Sequence, residues 1–301
     1  MRSLVVRLMS SPSHWIHAAR PRTLGAAVAP VAVGSVIGWK IGGEFHLGLA
    51  LATLSSCMAI QVATNWFNDA LDAAKGADTE RRVGPRRITA SGLVSGRAVM
   101  RAAALMLVIA FALGIPLFQA RGWPILAIGV PSLYFTYGYT GGPVPLAYRG
   151  LGELFVILFF GLVAVTGSAF IQCGQWLPEA LVGGVQIGCL STVLIAINNL
   201  RDRAEDSTTG KRTLAVRLGV RFAKAEIAAL ILTPFALGLY WLSQGHEVAC
   251  LAPLPALGIG LGLIQWIYKT EPGPSYNRFL ALSGLMLLAF AFLFCLGLGL
   301  S

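Results

Sequence analysis

The sequence predicts an all-α membrane protein in which about nine transmembrane helices form one bundle. Three observations carry this prediction. The chain is 56% hydrophobic and only 12% charged, about half the charge of a typical soluble domain. Its apolar residues arrive in runs of about 20, the length that crosses a bilayer core as a helix. No alternation of polar and apolar residues marks the strands of a membrane barrel.

The predicted spans lie near residues 23–40, 47–67, 98–118, 123–139, 151–172, 177–198, 223–243, 247–268 and 278–300. The second and sixth end in Asp-rich segments, and the fourth ends in Tyr134, Tyr137 and Tyr139. The 35 Gly and 15 Pro predict kinked, closely packed helices. Residues 1–301 read as one domain, with 1–13 a short cytoplasmic tail and no secretory signal.

The net charge of +10 raises nucleic acid as a partner, but the positions of the charges speak against it. With the N-terminus inside, only Lys40 and Arg121 of the 23 basic residues fall outside the cytoplasm. This follows the positive-inside rule and supports both the span count and the orientation. An integral protein of the cell (inner) membrane is expected, with lipid as its solvent. Cys57, Cys173, Cys189, Cys250 and Cys295 are scattered through apolar segments with no metal-like spacing.

All five Asp residues lie in two short segments at the cytoplasmic ends of spans. The first holds Asn65, Asn68, Asp69, Asp72 and Asp78; the second holds Asn198, Asp202 and Asp206. Acidic groups at the edge of a membrane are costly and point to function. Asn68 and Asp72 are four apart, as are Asn198, Asp202 and Asp206, so each set shares one helical face. Stacked like charges repel unless a cation sits among them. Carboxylate and amide oxygens suit magnesium, which binds through a few carboxylates plus substrate phosphates. Asn68, Asp69, Asp72, Asp78, Asp202 and Asp206 are the candidate metal ligands.

Basic residues follow both ladders. Lys75, Arg81, Arg82, Arg86 and Arg87 come after the first; Lys211, Arg212 and Arg217 come after the second. Arg forks grip phosphate oxygens in pairs and Lys acts as a point charge. The two segments match at Asn68/Asn198 and Asp72/Asp202, so the site is expected between two pseudo-repeated halves. A secondary transporter is the rival class. Its coupling carboxylates belong near the bilayer midplane, however, and these lie at the cytoplasmic edge.

At these residues the sequence resembles the UbiA family of intramembrane aromatic prenyltransferases. Asn68, Asp69 and Asp72 match that family's N-D-x-x-D-x-x-x-D segment, and Asp202 and Asp206 match its D-x-x-x-D segment. The third Asp of the first motif is Gly76 here, with Asp78 two residues on. This form is similar to the 1,4-dihydroxy-2-naphthoate polyprenyltransferases, as are Arg20–Leu24, Gly84–Arg86, Gly150–Glu153 and Gly210–Val216. The resemblance implies that Asp69, Asp72, Asp202 and Asp206 serve catalysis with magnesium. It also implies that a polyprenyl diphosphate loses its diphosphate to an aromatic acceptor. Dihydroxynaphthoate would be prenylated with loss of carbon dioxide, giving a demethylmenaquinone. 4-Hydroxybenzoate, homogentisate, a chlorophyllide and heme stay open as acceptors. Asn65, Asn68, Lys75, Arg81, Arg86, Asn198, Lys211 and Arg212 are the candidate groups around the diphosphate. Arg20 and Arg22, at the start of the first helix, face the acceptor carboxylate in this reading, and Tyr139 offers an aromatic face to a cation. Glu153 lies near the same mouth, and no proton acceptor is singled out.

Overall fold

The computed structural model describes residues 12–78, 83–84 and 87–301, apart from the Arg22 side chain. Its regular elements are helices. They are α1 (Pro12–Ala19), α2 (Pro21–Lys40), α3 (Leu47–Ala74), α4 (Gly96–Arg121), α5 (Trp123–Gly138), α6 (Gly152–Cys173), α7 (Pro178–Arg201), α8 (Arg203–Thr208), α9 (Leu214–Ala236), α10 (Gly238–Ser243), α11 (Glu247–Leu251), α12 (Leu254–Lys269) and α13 (Tyr276–Leu300).

Eight of the described stretches are long and apolar enough to cross a membrane, one fewer than the sequence predicts. The segment at 123–139 does form a helix, but α5 has 16 residues. At about 1.5 Å per residue it rises about 24 Å, short of the ~30 Å hydrocarbon core. Its limits are local. Gly122, at φ 71°, turns the chain into its start, and Gly142, also at φ 71°, turns it away below its end. Conversely, α9 and α10 together make one span, Leu214–Ser243, and α11 and α12 make another, Glu247–Lys269.

The two basic residues set apart by the charge pattern act as helix-end clamps. Lys40 Nζ donates to the Gly299 carbonyl at 3.0 Å, near the end of α13. Arg121 Nε donates to the Ile171 carbonyl at 2.8 Å, in the last turn of α6. Carbonyls there lack helical partners, and a cation satisfies them.

The main core is built from α2, α6, α7, α9, α12 and α13 around Ile37, Ile187, Leu190, Ile197, Leu263 and Phe290. Contact between α6 and α7 is close because glycine faces glycine. A Cβ on Gly161 would stand 2.6 Å from Gly188 Cα, so any side chain there would force the helices apart. Gly161 lies in a π-helical stretch, Ile157–Val163. Such a stretch shifts the side-chain register within an α-helix and often marks a functional site.

A smaller core sits over the polar end of the bundle. Ala18, Ala70, Ile88, Val94 and Val99 pack together with Trp15 and Trp66. They fasten α1 and the 88–94 segment onto the ends of α3 and α4. That cap forms one side of the site described next.

Candidate active site

Helix α3 runs to Ala74, beyond the predicted span, so Asn65, Asn68, Asp69 and Asp72 all sit on ordered helix. The second ladder is less regular than predicted. Helix α7 ends at Arg201, and Asp202 adopts φ −91°, ψ 2° before α8 begins. The four-residue spacing survives the break, because Asp202 N bonds Asn198 O at 3.0 Å and Asp206 N bonds Asp202 O at 2.9 Å.

The two ladders meet at one cavity of about 190 Å³. Its polar wall carries Asn65, Asn68, Asp72, Arg87, Asn198 and Lys211; its apolar wall carries Phe155, Val156, Phe160 and Leu194. Ala26, Gln61, Thr64, Phe155 and Phe160 also line a second, more apolar cavity of about 240 Å³ reaching between α3, α4 and α5. The two spaces are adjacent and share these walls. Phe155 and Phe159 stack at 4.4 Å, with Phe135 edge-on to both at 5.3 Å.

Asp72 is buried and doubly held. Tyr148 Oη donates to its Oδ1 at 2.9 Å, and Arg87 Nη2 donates to its Oδ2 at 3.2 Å. Arg87 also approaches Asp78 Oδ1 at 3.5 Å. Tyr148 brings the two ladders' lysines together. Its ring lies 4.1 Å from Lys75 Nζ and 5.9 Å from Lys211 Nζ, and its carbonyl accepts from Arg212 N at 3.1 Å. Burial and then the Asp72 charge push the Tyr148 phenol up, so it stays protonated as a donor. Lys75 Nζ donates to Thr140 O, and Thr140 Oγ1 donates to Asn68 Oδ1.

On the other ladder, Arg201 binds both oxygens of Asp202 and also donates to Asn198 Oδ1 and Asn277 Oδ1. Asn277 in turn donates to the Val83 carbonyl at 3.2 Å, tying α13 to the loop after α3. Asp206 is buried with Lys211 Nζ at 3.7 Å. Burial pushes its carboxyl up to about 6, against the pull of Lys211 and with the help of Asp202 and Asp72.

Several predicted residues stand differently from expectation. Asp69 was grouped with the metal and catalytic carboxylates, but its oxygens accept from Ile88 N at 3.1 Å and Thr89 N at 2.9 Å. It holds the 87–91 turn. Asn65 Nδ2 donates to Ala19 O at 2.8 Å and Thr23 Oγ1 at 3.1 Å, bracing the α1–α2 junction beside the cavity. Arg20, in the same junction, lines the cavity wall. Its φ of 53° is the one left-handed value among described non-glycine residues, a strain typical of functional positions. Arg81 and Arg86 lie outside the described residues, as does the Arg22 side chain. Tyr139 lines the cavity. Arg212 is exposed and is anchored through its backbone.

The residues that the sequence did not single out are Tyr148, Thr140 and Arg201. Tyr148 and Thr140 sit in a turn far from both motifs in sequence, without a local signal. Arg201 directly precedes Asp202, and its position inside the motif was the available clue.

The donor set fits magnesium. Asp206 Oδ2 is buried with no hydrogen-bond partner among the described residues, and so is Arg87 Nη1. A buried carboxylate oxygen without a donor and a guanidinium nitrogen without an acceptor are each costly. A cation for the first and an anionic oxygen for the second remove both costs. Among the described residues no three His, Cys, Asp or Glu side chains cluster closely enough to hold an ion alone. That suits an ion shared between one or two carboxylates and phosphate oxygens.

Comparison with known proteins identifies the family and the fold. The UbiA prenyltransferase family profile matches residues 27–296. The chain is 32% identical over 291 residues to the 1,4-dihydroxy-2-naphthoate octaprenyltransferase of Mycobacterium leprae, covering 94% of this chain and 95% of that one. A UbiA homologue from Aeropyrum pernix, solved without ligand, has a TM-score of 0.70 at 18% identity, over 92% of this chain and 97% of that one. A UbiA homologue from Archaeoglobus fulgidus, solved with DMAPP and Mg2+, has a TM-score of 0.65 at 15% identity, over 93% and 98%. These two structures show the fold. With the match over most of its length, the chain belongs to the UbiA prenyltransferase family.

Proposed function

We propose that the protein transfers a polyprenyl group from an allylic diphosphate to 1,4-dihydroxy-2-naphthoate. Diphosphate and carbon dioxide leave, and the product is a demethylmenaquinol, the reduced form of a demethylmenaquinone. The observation that carries this reading is the pair of buried polar atoms, Asp206 Oδ2 and Arg87 Nη1, that lack hydrogen-bond partners among the described residues, with Arg87 in the wall of a cavity that also has an aromatic face. Support for the acceptor comes from the relatives of matching length that bear the dihydroxynaphthoate name.

In this reading Asp72 on the first ladder and Asp202 and Asp206 on the second, with Asn68, would lend oxygens to magnesium that is shared with the diphosphate. When bound, the ion supplies positive charge to the diphosphate oxygens as the allylic C–O bond breaks. Lys75, Lys211 and Arg87 add fixed cations around the same oxygens; Arg81, Arg86 and Arg212 complete the basic rim, and Asn198 adds a neutral amide. Asp69 shapes the turn that presents Arg87. The faces of Phe155 and Phe159 stabilise the allylic cation. The apolar cavity takes the isoprenoid tail and keeps water from the cation. Arg20 faces the acceptor carboxylate. The cavity mouth lies on the cytoplasmic side of the cell membrane, a placement supported by the basic residues of the 201–224 segment.

The test is turnover in membranes containing the protein, with magnesium, a labelled polyprenyl diphosphate and either 1,4-dihydroxy-2-naphthoate or 4-hydroxybenzoate. A decarboxylated prenyl naphthoquinone, identified by mass and found with the first acceptor alone, is expected. Product from 4-hydroxybenzoate alone would overturn the acceptor and keep the chemistry.

A further inference from the structure

Glu153 sits at the start of α6, in the wall of the 190 Å³ cavity, and is only 4% exposed. Its Oε1 accepts from Asn199 Nδ2 at 2.8 Å, linking α6 to α7. Its Oε2 has no hydrogen-bond partner among the described residues. The structural link needs one acceptor oxygen, and a glutamine would provide it without a buried carboxylate. The second oxygen is therefore unexplained by packing, and an unmet buried acceptor asks for a donor.

The surroundings suit a flat, hydroxylated ring. Phe155, one turn along from Gly152, lies 5.3 Å from the Tyr139 ring. Gly152 leaves room for Tyr139, whose hydroxyl lies 2.9 Å from where a Cβ on residue 152 would stand. Glu153, Tyr139 and Phe155 therefore share one stretch of the cavity wall. Asp72 and Lys211 also line this cavity, so a ring held there shares the space with the diphosphate end.

Resting on the acceptor chemistry proposed above, we infer that Glu153 is a catalytic residue: its Oε2 accepts the ring hydroxyl of the aromatic acceptor and takes its proton during attack. The allylic C–O bond breaks, and its electron pair leaves on the diphosphate. The ring carbon bearing the carboxylate forms the new C–C bond, while the hydroxyl oxygen feeds a lone pair into the ring and passes its proton to Glu153. The bond to the carboxylate then breaks, carbon dioxide leaves, and the electron pair returns to the ring. The oxygen takes its proton back from Glu153, which ends as it began.

The experiment compares wild type with Glu153→Gln on 1,4-dihydroxy-2-naphthoate and on its two mono-O-methyl ethers, with prenyl diphosphate binding measured separately. The glutamine keeps the Asn199 link and removes the proton acceptor. Turnover of the parent acceptor is expected to fall about 100-fold or more, with prenyl diphosphate affinity within twofold. In wild type, one ether is expected to be poor by a similar factor. In Glu153→Gln, that ether and the parent are expected to react at nearly equal rates. Parent turnover within twofold of wild type, or equal loss on parent and ether, would overturn the assignment. If the variant does not accumulate in folded form, wild type using both ethers as fast as the parent overturns it alone. If wild type ignores dihydroxynaphthoate and uses another hydroxylated aromatic, the acceptor reading fails. The same hydroxyl-to-ether ratio on that compound then decides Glu153.

Discussion

The guanidinium of Arg201 binds both carboxylate oxygens of its neighbour Asp202, each at 2.7 Å. The same side chain reaches Asn198 at 2.7 Å and Asn277 at 2.8 Å. One arginine thus fixes the second ladder and ties it to α13. Because the pair is buried, each partner depends on the other.

Two substitutions separate the roles within this pair. Asp202→Asn is expected to lower turnover at least about 1,000-fold, a loss far larger than its stability cost explains, since the amide oxygen keeps one of the two bonds from Arg201. Arg201→Gln is expected to cost about 3 kcal/mol of stability by stranding a buried carboxylate. Turnover assays and thermal unfolding in detergent read the two effects. Near-normal turnover in Asp202→Asn would remove it from the magnesium site.

Asp206 predicts a pH dependence. Burial raises its carboxyl to about 6, so below that pH the group is increasingly protonated, and the proton competes with the metal. The magnesium concentration for half-maximal rate is expected to stay flat above about pH 7. Below pH 6 it should climb roughly tenfold per pH unit, as one-proton competition requires. Titrating magnesium at fixed prenyl diphosphate from pH 5 to 8 checks this. A magnesium requirement that is flat across the range would contradict the role of Asp206.

Tyr148 carries two functions that substitution can split. Its hydroxyl orients Asp72, while its ring sits beside Lys75 and Lys211. Tyr148→Phe is expected to lower turnover about tenfold, consistent with loss of one charge-assisted hydrogen bond of about 1.5 kcal/mol. Tyr148→Ala should also raise the KM for prenyl diphosphate about tenfold, because the lysines lose their aromatic seat. Steady-state kinetics of both variants measure the difference.

Asp69 and Asp72 are neighbours in the motif with different partners. Asp69 holds backbone N–H groups at 88 and 89, whereas Asp72 lies in the cavity wall. Asp69→Asn is expected to loosen the turn carrying Arg87 while leaving the magnesium requirement within about twofold of wild type. Asp72→Asn is expected to lose turnover outright. Magnesium titrations of the two variants are the measurement. A large rise in magnesium requirement for Asp69→Asn would return it to the metal site.

Much of this protein was legible in one dimension. Runs of apolar residues declare spans because backbone groups in lipid must bond within their own helix. Asn68, Asp72, Asn198, Asp202 and Asp206 were legible because acidic groups at a membrane edge are rare and four-residue spacing stacks them. The fourth stretch was legible to within one residue of α5; its 16 residues simply fall short of a full bilayer core. The direction each Asp faces was decided only in three dimensions. Asp69 and Asp72 differ by three positions and carry the same group, yet one meets a turn at 88–89 and the other a tyrosine at 148. Those partners are distant in sequence and come together only when the helices pack. Local spacing determines which residues share a face; packing across the bundle decides what that face meets, and so which carboxylate lines the cavity.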